Sequence, residues 1–135
     1  YNDWPVNYAV IRIEDMMLLN SEILIGEGDI VGGLAAVNEI RKRAGVDPVS
    51  TNVDAATAMN YVKRERRLEL FGEGVRWFDE VRYGTWRQDI IDKFNRYGNP
   101  AGTNVNDVSE GRYLYPIPQN QMNIIPGLYK QNVGY

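Results

Sequence analysis

A chain of 135 residues is long enough for one domain with a real core and hardly for two. Hydrophobic residues make up 44% and charged residues 24%, a globular balance, and a net charge of −3 argues against a nucleic-acid footprint or a polybasic membrane-surface patch. Cysteine and histidine are both absent, which removes disulfides, thiol or histidine catalysis and the usual zinc ligands, so neither a metal nor a cofactor is expected.

Residues 1–6 read as a loop, with Asn2, Asp3 and Pro5 as breakers. The first ten residues carry no Lys or Arg, so no signal peptide is read, and the chain is expected to be a fragment of a longer one. The spacing predicts a first helix over 8–26. Ile13, Met16, Met17 and Leu24 recur at helical intervals, and Val10, Ile11, Leu18, Leu19, Ile23 and Ile25 add to them. Polar residues are few here, so burial on most sides is expected. The longest unbroken apolar run, Met16 to Leu19, falls far short of the ~20 residues of a membrane span.

Gly26-Glu-Gly-Asp29 ends this helix, and a second follows over 30–43 with Leu34, Val37, Ile40/Arg41 and Ala44 along one stripe. Gly45 stops it and Pro48 follows. Residues 8–44 thus form an αα-hairpin about as long as one tetratricopeptide-like repeat, with no second copy in the chain. Thr51, Asn52 or Asp54 can cap a third helix over 54–71. Shorter helices are predicted over 75–83 and 85–97, completing a helical region 54–97. Residues 98–135 form a loop rich in Gly and Asn and then a docked tail. Within the tail Pro116 and Pro118 force an extended path before a helical turn at 119–125. The fold class is all-α: tetratricopeptide-like helix pairs with a long irregular C-terminal tail.

Three groups of residues are candidates for chemistry. On the third helix, Ala58, Tyr61, Val62, Leu68 and Gly72 share a face with Glu65 and Glu69, while Lys63, Arg66 and Arg67 project more outward. A carboxylate on an apolar face needs a partner, so Glu65 is expected to meet Arg41, Arg43 or Arg76. A glycosidase pair among Glu65, Glu69 and Glu73, or a di-metal site, is the sharper reading. The helical di-metal site requires histidine, and a glycosidase pair requires an open cleft. Structural ion pairs are the plainer reading and are preferred.

In the second group, Arg76 and Asp79 are spaced for a local ion pair, and Trp77 and Phe78 read as core anchors rather than a sugar platform. The third is a set of loop aromatics and amides. Tyr1, Trp4 and Trp86 are the candidate ligand contacts, with Asn2, Tyr97 and Asn99 behind them and packing as the plainer role. Asp107 could at most join an incidental Ca²⁺ site.

Taken in order, five stretches resemble the C-terminal region of the SusD/RagB family. They are Ile11-Arg-Ile-Glu-Asp-Met-Met-Leu-Leu-Asn-Ser-Glu22; Ala36-Val-Asn-Glu-Ile-Arg-Lys-Arg-Ala-Gly45; Glu65-Arg-Arg-Leu-Glu-Leu-Phe-Gly-Glu-Gly-Val-Arg-Trp-Phe-Asp79, with Arg82-Tyr-Gly84 behind it; Tyr115-Pro-Ile-Pro-Gln119; and Gln131-Asn-Val-Gly-Tyr135. Asn20 and Val133 depart from the residues usual in the family, Ala and Pro. The resemblance implies a non-catalytic protein of Bacteroidetes, lipid-anchored outside this chain to the outer face of the outer membrane. It implies a SusC-like TonB-dependent transporter as partner and oligosaccharides, or peptides in some members, as ligands. It also implies that Glu65, Arg66, Arg67, Glu69, Glu73, Arg76 and Asp79 are a structural signature, with ligand contacts upstream or in variable loops. A protein-interaction module of tetratricopeptide type and a glycan hydrolase are the competing readings.

Overall fold

The computed structural model describes residues 10–98 and 108–134, all in helices, turns and loops with no strand among them. The chain divides between Gly74 and Val75 into two compact units. Gly72 and Gly74 lie just before this point with φ of +80° and +82°, a backbone that ends helical continuity and that only glycine adopts cheaply.

The first unit is a three-helix layer. Helix α1 spans Ile13–Gly26, not residues from 8 onward. Val10 to Arg12 are non-helical, and positions 8 and 9 lie outside the described residues. Arg12 is extended, and Glu14 and Asp15 fill the first turn, where the helix dipole favours negative charge. A three-residue turn with Gly28 at φ +96° leads to α2, Ile30–Arg43. Asp29 caps α2 by accepting the Gly32 N–H at 2.8 Å. Gly32 and Gly33 are helical residues. A Cβ on Gly33 would lie 2.6 Å from Ile25 Cγ1 and 2.9 Å from the Ser21 carbonyl, so glycine sets how closely α1 and α2 approach.

Asn38 pins the loop after α2, donating to the Val49 carbonyl at 3.1 Å and accepting the Val49 N–H at 2.8 Å. Asp54 caps α3, Ala55–Glu69, by accepting the Thr57 N–H at 2.7 Å, and that bond holds its carboxyl below the usual range. Leu18, Ile25, Leu34, Val37, Ile40, Ala58 and Val62 form the core between the three helices. Leu68 and Gly72, expected on that face, are exposed. The helix ends at Glu69, and Leu70 takes the buried position instead.

The second unit holds α4, Arg76–Arg82, and α5, Trp86–Tyr97, then a 3-10 turn at Glu110–Tyr113 and α6, Gln119–Ile124. The 3-10 turn falls within the stretch 98–135 that the composition marked as loop and tail. The tail closes on itself through Gln131. Its side-chain amide accepts the Ile117 N–H at 2.8 Å and donates to the Ile117 carbonyl at 3.0 Å. Ile117 is the one residue of Pro116-Ile117-Pro118 with an N–H, so a side chain replaces the pairing that the prolines deny the backbone. Asn132 adds a bond to the Tyr115 carbonyl at 2.6 Å.

Candidate functional site

The densest chemistry of the first unit is an ionic seam along α3. Arg41 Nη1 reaches Glu65 Oε2 at 3.1 Å, and its Nε donates to the Asp47 carbonyl at 2.7 Å. Glu65 is 6% exposed. Arg66, projected outward from α3 alone, is 3% exposed. Two α1 carboxylates draw it in: Asp15 Oδ1 lies 2.8 Å from Nη1 and Glu22 Oε1 lies 3.6 Å from Nε. The long arginine stem lets the charge reach partners that a projection of one helix cannot see.

A second knot lies at the end of the seam. Glu69 Oε1 is shared by Arg12 Nη2 at 2.5 Å and Arg43 Nη2 at 2.6 Å. Arg12 also pairs with Glu14 and Glu73, and Arg43 with Glu14. The hydrogen bond to Glu69 is the first cause of the raised affinity of both guanidiniums for their protons. Glu14 is lowered, first by its own backbone N–H, against burial, and then by Arg12 and Arg43.

The arrangement bears on the sharper readings of the glutamates. Glu65, Glu69 and Glu73 are each engaged by a guanidinium. A hydrolase needs an acid and a base open to one cleft, whereas Glu65 and Glu69 lie largely buried against arginines. Among the described residues no group of three or more carboxylates is placed to hold a metal ion. The seam is a clamp between helices. Breaking a buried pair costs ~3–5 kcal/mol, against ~0–1 for an exposed one, so Arg66 and Glu65 outweigh the half-exposed Arg43.

In the second unit Arg76 does not serve Asp79. Its Nε lies 2.6 Å from Glu80 Oε1, an ion pair without hydrogen-bond alignment, and its Nη2 reaches Asp89 Oδ2 at 3.1 Å on α5. Asp79 is held by Arg82 Nε at 2.9 Å. Trp86 is 7% exposed, with its ring 5.9 Å from Trp77 and 6.0 Å from Tyr113, which leaves little of the indole for a ligand. Phe78, read as a core anchor, is 71% exposed, and Trp77 is only partly covered. Neighbouring residues on a helix point ~100° apart, so the two rings cannot share one buried face. Tyr97 is exposed at the end of α5. The candidates Tyr1, Asn2, Trp4, Asn99 and Asp107 lie outside the described residues.

Sequence reasoning missed Arg12, Asp15, Glu22 and Glu80. The signal was present: Arg12, Glu14, Asp15 and Glu22 are charges in an otherwise apolar stretch, and the argument applied to Glu65 holds for them. The seam also joins three of the resembling stretches, 11–22, 36–45 and 65–79, and the Gln131–Ile117 pairing joins the last two.

Comparison with known proteins agrees with this pattern. A family model described as the SusD family matches residues 5–135. A SusD-like protein of Formosa agariphila is 30% identical over 137 aligned residues, covering 96% of this chain and 25% of the relative. A SusD-like protein of Bacteroides ovatus is 30% identical over 98 residues, 70% of this chain and 16% of the relative. The chain therefore spans a quarter or less of the relatives it matches. No solved structure matches it.

Proposed function

Because the chain belongs to the SusD family, we propose that it is the C-terminal part of a cell-surface protein that captures nutrient glycans for a SusC-like TonB-dependent transporter. The observation that carries this is the family match over residues 5–135, nearly the whole chain. The seam supports it in a second way: the acidic residues that would make a hydrolase are committed to arginines, which fits a binder better than a catalyst. Among the described residues no helix is long and apolar enough to cross a membrane. That fits attachment to the outer face of the outer membrane by a lipid outside these residues. The ionic signature Glu65, Arg66, Glu69, Glu73, Arg76 and Asp79 then has the role of fixing helices. Ligand contacts fall to regions beyond the chain or to Tyr1 and Trp4.

A glycan panel tests the proposal, read by calorimetry on the native-length protein and on residues 1–135. Binding by the native-length protein alone is the expected result, with the ligand site outside this chain. Binding by both places it on these loops, with Trp4→Ala as the first variant. Binding by neither, with peptides bound instead, replaces the glycan by a peptide. A protein that binds neither and docks only other proteins overturns the proposal.

A further inference from the structure

The chain has four methionines, and among the described residues only Met122, on α6, has a hydrogen bond to its sulfur. Gln131 Nε2 donates to the Met122 Sδ at 3.4 Å. Met17 and Met59 pack against the core of the first unit. Met16 is 50% exposed, on a helix that the sequence read as buried on most sides.

The donor to Met122 is the amide that closes the tail, and its whole bonding capacity is in use. Gln131 Oε1 accepts the Ile117 N–H at 2.8 Å and the Asn132 N–H at 2.9 Å. Nε2 gives one hydrogen to the Ile117 carbonyl at 3.0 Å, which leaves the other for Met122. Three of these bonds are made with backbone groups. The fourth ends on a thioether, a weak acceptor. The amide cannot turn toward a better one without breaking its paired bonds to Ile117. Its backbone is held as well. Asn132 donates to the Tyr115 carbonyl at 2.6 Å, and the Val133 carbonyl lies so close to Gly111 that a Cβ there has no room. Gln131 thus aims a fixed N–H at a poor acceptor on a half-buried side chain.

Oxidation is the chemistry that turns a thioether into a good acceptor. A peroxide transfers one oxygen to the sulfur: its O–O bond breaks, an S–O bond forms, sulfur gives up two electrons, and hydrogen peroxide is reduced to water. The sulfoxide oxygen carries negative charge and accepts hydrogen bonds strongly. Placed ~2.9 Å from the Gln131 nitrogen, it asks sulfur and nitrogen to part by less than about an ångström. We propose that Met122 is a site of oxidation by peroxide and that its sulfoxide locks the tail onto the Gln131 clip. The response is opposite to the usual one, in which a methionine sulfoxide disrupts the packing around it. The sulfoxide sulfur is chiral, and one epimer alone puts its oxygen on the Gln131 side, so the lock belongs to that epimer.

The tail supplies its own readout. Pro116 and Pro118 have no N–H, so hydrogen exchange over residues 116–118 reports Ile117 alone. The native-length protein is treated with hydrogen peroxide. Oxidation at Met122 is read by peptide mass spectrometry, and exchange at Ile117 is followed before and after. Protein oxidised at Met122 is expected to exchange about fivefold more slowly at Ile117, the effect of one added hydrogen bond on an opening equilibrium. Methionine sulfoxide reductases should restore the original rate, with one of the two epimer-specific enzymes accounting for the restoration. Met122→Leu keeps the volume and removes the sulfur, and peroxide is expected to leave its exchange at Ile117 unchanged. Slowing in that variant assigns the effect to another methionine and overturns the proposal. Unchanged or faster exchange at Ile117 in protein oxidised at Met122 also overturns it, as does a Met122 that stays reduced while Met16 is oxidised.

Discussion

The first unit closes its helix seams with charges, and the second adds a cluster of rings to its ion pairs. In the first, Arg66 and Glu65 are buried beside Asp15, Glu22 and Arg41, and the apolar core is small aliphatic side chains. In the second, Trp86 sits between Trp77 and Tyr113, and Glu80 is a buried carboxylate beside Arg76. The two solutions differ in tolerance. A ring packs against any apolar neighbour, whereas a buried charge demands one particular partner and is costly without it. A charged seam therefore specifies which helices meet, and an aromatic cluster chiefly fills space.

Arg66→Ala breaks the first solution most severely. It leaves Asp15 and Glu22 without their buried guanidinium and is expected to cost ~3–5 kcal/mol in denaturant melts, with Glu65→Ala close behind through Arg41. A loss under ~1 kcal/mol for both would mean that water reaches the seam and the pairs behave as surface pairs. Trp86→Ala tests the second solution. Losing a buried indole is expected to cost about 3 kcal/mol. The cost should be the same at low and high salt, whereas that of exposed members of the seam, such as Arg43→Ala, should shrink as salt screens the charge. Two of the three tryptophans lie in the second unit, so indole fluorescence follows that unit while helical dichroism follows both.

Gly33→Ala separates packing from charge within the first unit. The new methyl would press on Ile25 Cγ1 and the Ser21 carbonyl, and one of those is backbone that cannot swing aside. A cost of ~1–3 kcal/mol is expected, with the salt dependence of the wild type. A neutral result would show that α1 slides on α2. In that case the seam, not the close glycine contact, sets their spacing.

How far these features were legible in the residues follows from their physics. Helix order and the turn glycines could be read, because periodicity and caps are local. Glu65 could be read because a carboxylate on an apolar stripe announces a partner, and Arg41 lies opposite it. Arg66 could not, because its partners stand on α1 and a projection of α3 alone contains no information about them. Arg76 reads in the sequence as the partner of Asp79, three residues on, but Asp89 on the next helix and Glu80 one turn along its own helix are better placed. Trp77 and Phe78 were both read inward, although adjacent helical positions diverge. The division into two units falls just after two glycines, which mark a break in any sequence without saying that a compact unit lies on either side.

The smallest expected effect concerns acid. The Glu14 carboxyl is held below its ordinary 4.5 by its own N–H and by Arg12 and Arg43, and Asp54 below its ordinary 3.8 by Thr57. For both groups the folded chain binds fewer protons than the unfolded chain. Their stabilisation is therefore whole above about pH 4.5 and is lost as pH falls through the lower folded values. Melts at about pH 7, 4 and 3 should show this loss, and Glu14→Gln should make it shallower. The effect belongs to the first unit, so it should appear in helical dichroism before indole fluorescence responds. If fluorescence moves first, acid is acting on the second unit, and the contrast between the two units would have to be redrawn.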